Sequence, residues 1–365
     1  MVKGTFVSWA GVLTSVIPRF YTGPIDVYHW IVPKRGDTRY KYSDSNRIQI
    51  GFHRDTDVNG MTPKTRYSLY VLASAIVGAS GTVLSEVALR FYAVSSVQIA
   101  LFANIVGGLF LLLPVVWKRQ NSWRGWPRAD WSRLIAASLS IFVVGFLLLY
   151  VAIDSIGSSK SMMLNRLETI FVVALAVMFL GEHWSLRHWM ASLLALLGAI
   201  LINLDLSVWQ LRLGLGEFLA ALAALIVAAG IVVLKPLLDR HDGQFITGSG
   251  LLLGALFLVP CYFYYEAVHL HEVTWLVFSI LAVRGVLLGL SWLMYNLAMP
   301  HIGASRCSVL FLTIVFFTVV LQVALDAIEP SLGLQVPSNL LTTLVGSVIM
   351  ALGMILLPRH EDQRA

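Results

Sequence analysis

From residue 67 onward the chain is a succession of apolar runs about 20 residues long, the length a helix needs to cross about 30 Å of hydrocarbon at about 1.5 Å per residue. Few folds are open to such a chain. With no water in the bilayer core, each run must satisfy its own backbone amides, and a helix does so. The runs predict helices at about 67–89, 95–117, 132–153, 157–180, 186–205, 214–236, 245–265, 274–298, 303–326 and 338–357. The connections between them are short. The expected fold class is therefore an all-α polytopic membrane protein with about ten transmembrane helices.

Composition agrees, because 58% of the residues are hydrophobic and 13% charged, against roughly 25% charged in an ordinary soluble domain. The net charge of +6 does not describe a nucleic-acid patch, since the basic residues sit in short loops between apolar runs. With the amino terminus inside, the cytoplasmic segments hold Lys64, Arg66, Lys118, Arg119, Arg124, Arg128, Arg133, Arg187, Lys235, Arg240, Arg306, Arg359 and Arg364. The opposite side holds Arg90, Lys160 and Arg212 beside acidic Asp205, Glu266, Glu272, Asp326 and Glu329. This asymmetry predicts two cytoplasmic termini, hence an even number of spans, in an inner (plasma) membrane of bacterial type. Trp117, Trp123, Trp126 and Trp131 ring the most basic loop, as an interfacial aromatic belt would.

The first sixty residues differ. They are polar and mixed in sign, and their apolar stretch, Phe6 to Ile17, is too short to span. Arg19, Phe20 and Tyr21 stand where a signal-peptide cleavage site would need small residues. Met61-Thr62-Pro63-Lys64 reads like a natural start. The expectation is a disordered extension or an over-called start over 1–60, a first five-helix repeat over 61–206, a second over 207–357, and a tail over 358–365.

The repeat is visible in the residues. Ala152, Ile156, Gly157, Ser159, Lys160, Leu164 and Phe171 recur as Ala298, Ile302, Gly303, Ser305, Arg306, Leu310 and Phe317 at one constant offset of 146, and Gly108 and Pro114 recur as Gly254 and Pro260. A duplication of an odd number of spans inverts the second copy in the membrane. Two inverted halves are the usual basis of alternating access around a midplane site.

Three sequence blocks also resemble the EamA-like branch of the drug/metabolite transporter superfamily: Leu149-Tyr150-Val151-Ala152-Ile153-Asp154-Ser155-Ile156-Gly157, then Leu167-Glu168-Thr169-Ile170-Phe171, then Phe179-Leu180-Gly181-Glu182. Leu197-Gly198-Ala199-Ile200 closes the first repeat in the same style. The resemblance runs over roughly 67–357 and implies a ten-helix fold, cytoplasmic termini, and export or exchange of metabolites, amino acids or drugs. Thr169 stands where the family has a proline, and Ile314-Val315 replaces the Glu-Pro pair in the second repeat.

Ionisable groups at membrane depth are the sharpest clues to a site, since each costs about 2.5–3.5 kcal/mol at a helix centre on insertion scales. Arg166 and Glu168 fall midway along the fourth run and Arg284 midway along the eighth. Residues two apart on a continuous helix point to nearly opposite sides, so Arg166 and Glu168 are not expected to neutralise each other. Glu168 and Arg284 either face a common cavity, gripping a charged solute or relaying protons, or form a salt bridge that fixes packing. Glu86 is either an outer gate or a snorkelling surface charge. Asn104, Asn165, Asn296, Gln98 and Gln322 either line a path or join helices. Tyr150, Tyr295 and Trp292 are candidate aromatic walls. The substrate-binding or proton-coupling candidates are thus Glu168, Arg284, Arg166, Glu86, Asn165, Tyr150, Trp292, Tyr295 and Asn296.

Cys261 and Cys307 lie in apolar runs and read as packing residues. His269, His271 and Glu272 form an outer-loop turn with no third clear metal ligand. Walker-A, G-x-S-x-G and H-E-x-x-H patterns do not occur, so the sequence supports neither ATP-driven transport nor hydrolysis, and no catalytic residue, cofactor or metal is expected. The expected partners are the lipid bilayer and a small-molecule solute, without nucleic acid, and a homodimer is compatible with the reading. The expected function is secondary transport of a small organic metabolite. The alternatives are a sensor or scaffold that keeps the fold without turnover, and a membrane transferase, which would need a cluster of His, Asp or Glu at one face.

Overall fold

The computed structural model describes residues 63–117, 125–156, 158–181, 186–202, 214–266, 275–332, 334 and 340–356, all within one compact unit. The expectations for residues 1–60, for the 269–272 turn and for the tail lie outside the described residues. Those described are helical, with no strand among them.

The helices are α1 (Pro63–Arg90), α2 (Ser96–Trp117), α3 (Arg128–Ser138), α4 (Phe146–Ile156), α5 (Ser158–Asn165), α6 (Leu167–Leu180) and α7 (Leu186–Ile202) in the first part. The second part holds α8 (Leu215–Leu238), α9 (Gly243–Glu266), α10 (Trp275–Ile302), α11 (Ala304–Phe311), α12 (Thr313–Ile328) and α13 (Leu340–Ile355). A π-helical segment, Leu139–Gly145, runs from α3 into α4. Among the described residues, seven helical stretches are long and apolar enough to cross a membrane, and Leu167–Leu180 and Trp189–Gly198 are apolar but shorter. The fourth run, expected to be continuous, is broken at Arg166, which leaves α6 with 14 residues.

Helix ends follow local chemistry. Ser95 and Gln98 form a reciprocal capping box at the start of α2: Gln98 N–H donates to Ser95 Oγ and Ser95 N–H to Gln98 Oε1, each at 3.1 Å. Gln98 therefore neither lines a path nor joins helices. Gly181 ends α6 at φ +64°, the left-handed closure that favours glycine.

Packing pairs elements across the two parts. α1 lies along α10, α2 along α9, α7 along α13, and α8 along α3, the π segment and α4. α12 packs on α1 as α6 packs on α8. Small residues set the closest approaches, as van der Waals packing between membrane helices requires. A Cβ added to Gly107 would lie 2.6 Å from the Gly285 carbonyl oxygen, and one on Gly198 would collide with the backbone of Gly346 and Met350. Between α1 and α10, Ser74 Oγ donates to the Ser291 carbonyl at 2.7 Å while Ser291 Oγ donates to the Ser74 carbonyl at 2.9 Å. Cys307 is buried, but Cys261 is exposed and is not a packing residue within the chain.

Candidate functional site

Two interruptions shape the centre of the bundle. At Arg166 (φ −67°, ψ −13°) the helix tightens, and Thr169 N–H reaches back three residues to the Arg166 carbonyl at 3.0 Å. At Leu312 (φ −55°, ψ −25°), 146 positions later, Val315 N–H does the same to the Leu312 carbonyl at 3.1 Å. Leu312 N–H itself bonds Val309 O rather than Ser308 O, and the Thr169 hydroxyl donates to the Ser308 carbonyl at 3.4 Å. At the first break Arg166 Nε donates to the Met162 carbonyl at 3.2 Å. Side chains thus take up carbonyls at both breaks, as membrane depth demands.

The break also redirects side chains. Arg166 and Glu168, expected on opposite sides of a continuous helix, both line one cavity of about 90 Å³ counted as space for water centres. That is room for several waters, since one needs about 10–15 Å³ on this measure. α1 contributes Gly78, Thr82 and Ser85, α4 Phe146, Leu149, Tyr150 and Ile153, and α10 Arg284, Leu288, Ser291, Trp292 and Tyr295. Met162 and Asn165 of α5, Val227 of α8, Phe311 of α11 and Ile314 of α12 complete the wall. Seven of the nine candidates meet there: Glu168, Arg284, Arg166, Asn165, Tyr150, Trp292 and Tyr295.

Their engagement differs. Arg284 is 8% exposed and braced: its Nε donates to Ser85 Oγ at 2.6 Å and its Nη2 to the Tyr150 hydroxyl at 3.0 Å. Arg166 is 4% exposed, with its guanidinium 5.7 Å from the Phe311 ring centroid. Glu168, 8% exposed, makes no hydrogen bond among the described residues and interacts electrostatically with Arg166, not Arg284. The two residues expected not to neutralise each other therefore do interact, and the pairing of Glu168 with Arg284 to fix packing is not what the geometry gives. The Asn165 amide oxygen is likewise buried without a partner among them. Tyr295 shares a 2.8 Å hydrogen bond with Ser308 Oγ, and Trp292 packs edge-on to Phe142 and Tyr295 at centroid separations of 5.3 and 5.8 Å.

The π segment backs this wall, with Phe142 packed against Trp292. Its wide turn disturbs the regular backbone ladder, and Asn104 Nδ2 of α2 donates to the Phe142 carbonyl at 3.0 Å. Asn104 thereby joins helices, as does Asn296, whose Nδ2 donates to Thr247 Oγ1 at 2.9 Å and which lies off the cavity wall. Glu86 also lies off the wall. It is fully buried, accepts from Gln322 Nε2 at 2.7 Å and sits 3.6 Å from Arg90 Nε, which corrects the reading of a snorkelling surface charge.

Sequence reasoning missed Ser85 and the cluster on Asp130. Buried Asp130 accepts from Arg240 Nη2 at 3.0 Å and pairs with His241 Nε2 at 2.8 Å, while Trp126 stacks on the His241 ring at 4.1 Å. An acid inside the basic, Trp-rich loop was the available signal for Asp130. For Ser85, it was a hydroxyl at membrane depth beside Glu86.

A helical bundle of membrane-spanning length, with charged groups gathered in an internal cavity, defines an integral membrane protein with a polar site inside its bundle. The EamA-like transporter family matches residues 65–204 and again 214–358, and the chain belongs to that family, hence to the drug/metabolite transporter superfamily. A crystal structure of a protein 15% identical superposes with a TM-score of 0.63, covering 80% of this chain and 94% of that one, which speaks to the fold alone. Comparison with curated proteins gives no match.

Proposed function

We propose that the chain is a secondary transporter that exports or exchanges a small organic solute by alternating access. Its ten spans form two inverted five-helix halves with both termini cytoplasmic, in a plasma membrane of bacterial type. The observation that carries the reading is the cavity at the seam of the two matched segments, where Glu168 is buried without a hydrogen bond among the described residues, with Arg166 as its electrostatic partner and Arg284 on the same wall. An ionisable group at that depth without a hydrogen-bond partner is costly, and a solute or proton pathway accounts for it.

The packing supports the inverted halves. Exchanging the two matched segments turns the α1–α10 contact into the contact of α8 with α3, the π segment and α4, turns α1–α12 into α8–α6, and leaves α2–α9 and α7–α13 as they are. The equivalent bends at Arg166 and Leu312 agree. Halves related in this way can exchange conformations at little cost and open the site to either side in turn.

The test is counterflow. Purified full-length chain is reconstituted in proteoliposomes loaded with unlabelled solute and supplied with trace labelled solute, with and without a pH gradient. Transient accumulation of a solute that disappears in Glu168→Gln and Arg284→Ala at equal reconstituted protein is the expected result. Absence of flux for every solute class would leave the scaffold reading.

A further inference from the structure

We propose that the cavity selects a small, carboxylate-bearing organic solute with one net negative charge, an inference that rests on the cavity being the transport site. The argument is charge balance. Among the described residues, the ionisable side chains on the wall are Arg166, Arg284 and Glu168, two guanidiniums against one carboxyl, which sum to one positive charge when Glu168 is ionised. In a site of low dielectric, an occupant whose charge cancels the remainder is favoured over one that leaves or adds an unbalanced charge.

Geometry narrows the class. Ser85 and Tyr150 hold the edge of Arg284 formed by Nε and Nη2, which fixes the guanidinium plane and leaves Nη1, beside Gly81 of α1, without a hydrogen bond among the described residues. The terminal nitrogens of Arg166 likewise make no hydrogen bond among the described residues. Fixed planar donors suit a planar carboxylate. Glu168 and the Asn165 amide oxygen accept no hydrogen bond among the described residues, so a hydroxyl or N–H on the solute adds affinity without being required for the charge preference. Phe146, Trp292, Tyr295 and Phe311 provide flat apolar walls for its carbon frame. In this scheme Glu168 sets charge selectivity, because it lowers the wall from two positive charges to one.

The experiment uses single-ring probes of differing charge: benzoate (monoanion), phthalate (dianion), benzyl alcohol (neutral) and benzylamine (cation). Dissociation constants for the purified full-length protein are read at neutral pH from ligand-dependent thermal stabilisation. Benzoate is expected to bind about tenfold or more tighter than the other three in the wild type. Glu168→Gln moves the preference to phthalate, and Arg284→Gln removes the preference for benzoate. Arg284→Lys keeps the charge and keeps the benzoate preference, which guards against a variant that merely misfolds. The proposal is overturned if benzylamine binds best, if the order is the same in the wild type and Glu168→Gln, or if no probe stabilises the protein. Flux fails separately: the charge order without counterflow would retain this inference and remove transport, whereas counterflow with no charge order would do the reverse.

Discussion

Helix pairs α5–α6 and α11–α12 bend at corresponding positions, yet they carry opposite chemistry at the bend. The first break reads Asn165-Arg166-Leu167-Glu168 and the second Phe311-Leu312-Thr313-Ile314. Backbone geometry is matched, down to the three-residue hydrogen bond that closes each bend. Two charges stand on one side of the cavity, and the ring of Phe311, against which Arg166 lies, comes from the other. Duplication therefore accounts for the frame and divergence for the site. If two equivalent breaks give the halves their freedom to rearrange, only one of them needs to hold the solute, and the apolar one is free to serve as a packing surface.

The comparison can be broken in several ways. The largest expected effect follows from Arg166→Leu, which places at the first break the residue found at its counterpart, Leu312. Counterflow should fall by about a hundredfold, whereas Leu312→Ile, at the other break, should leave it within about twofold. Adding Leu312→Arg to Arg166→Leu restores the number of charges but not their place, and flux should stay lost.

Smaller effects concern the frame. Asn104→Leu deprives the Phe142 carbonyl of its donor at the π segment, and thermal unfolding in detergent should report a loss of about 1–2 kcal/mol. Thr169→Val deletes the long hydrogen bond that links the two breaks, and should cost about 0.6 kcal/mol in the same assay. A Thr169→Val cost equal to that of Asn104→Leu would mean that the link between the breaks matters more than its length suggests.

The fold was largely legible in the sequence because spanning helices are specified by run length and local backbone satisfaction, which need no tertiary information. The break at Arg166 was not legible. No proline or glycine marks it, since Thr169 occupies the family's proline position, and the bend is held by a local bond from Arg166 to Met162 and a tertiary one from Thr169 to Ser308. That hidden break is also why Arg166 and Glu168 were expected on opposite faces. Glu86 illustrates a related limit: its distance from the helix end suggested access to solvent, but Gln322, 236 residues away, covers it. Membrane depth can be counted along one helix, whereas burial depends on what packs beside it. The residues with the most unusual chemistry, Arg284 and Glu168, were legible because a charge inside an apolar run is conspicuous without any structure.

The central claim is that the cavity opens to each face of the membrane in turn. Thr82, on the cavity wall, bonds within its own helix to Gly78 O at 3.0 Å, so Thr82→Cys is a mild probe. In a background with Cys261 and Cys307 replaced by alanine, Thr82→Cys is reconstituted in one orientation and treated with a membrane-impermeant thiol reagent from either face. Labelling from both faces, with solute shifting the ratio between them, is the predicted result. Reaction from a single face, unchanged by solute, would contradict the account.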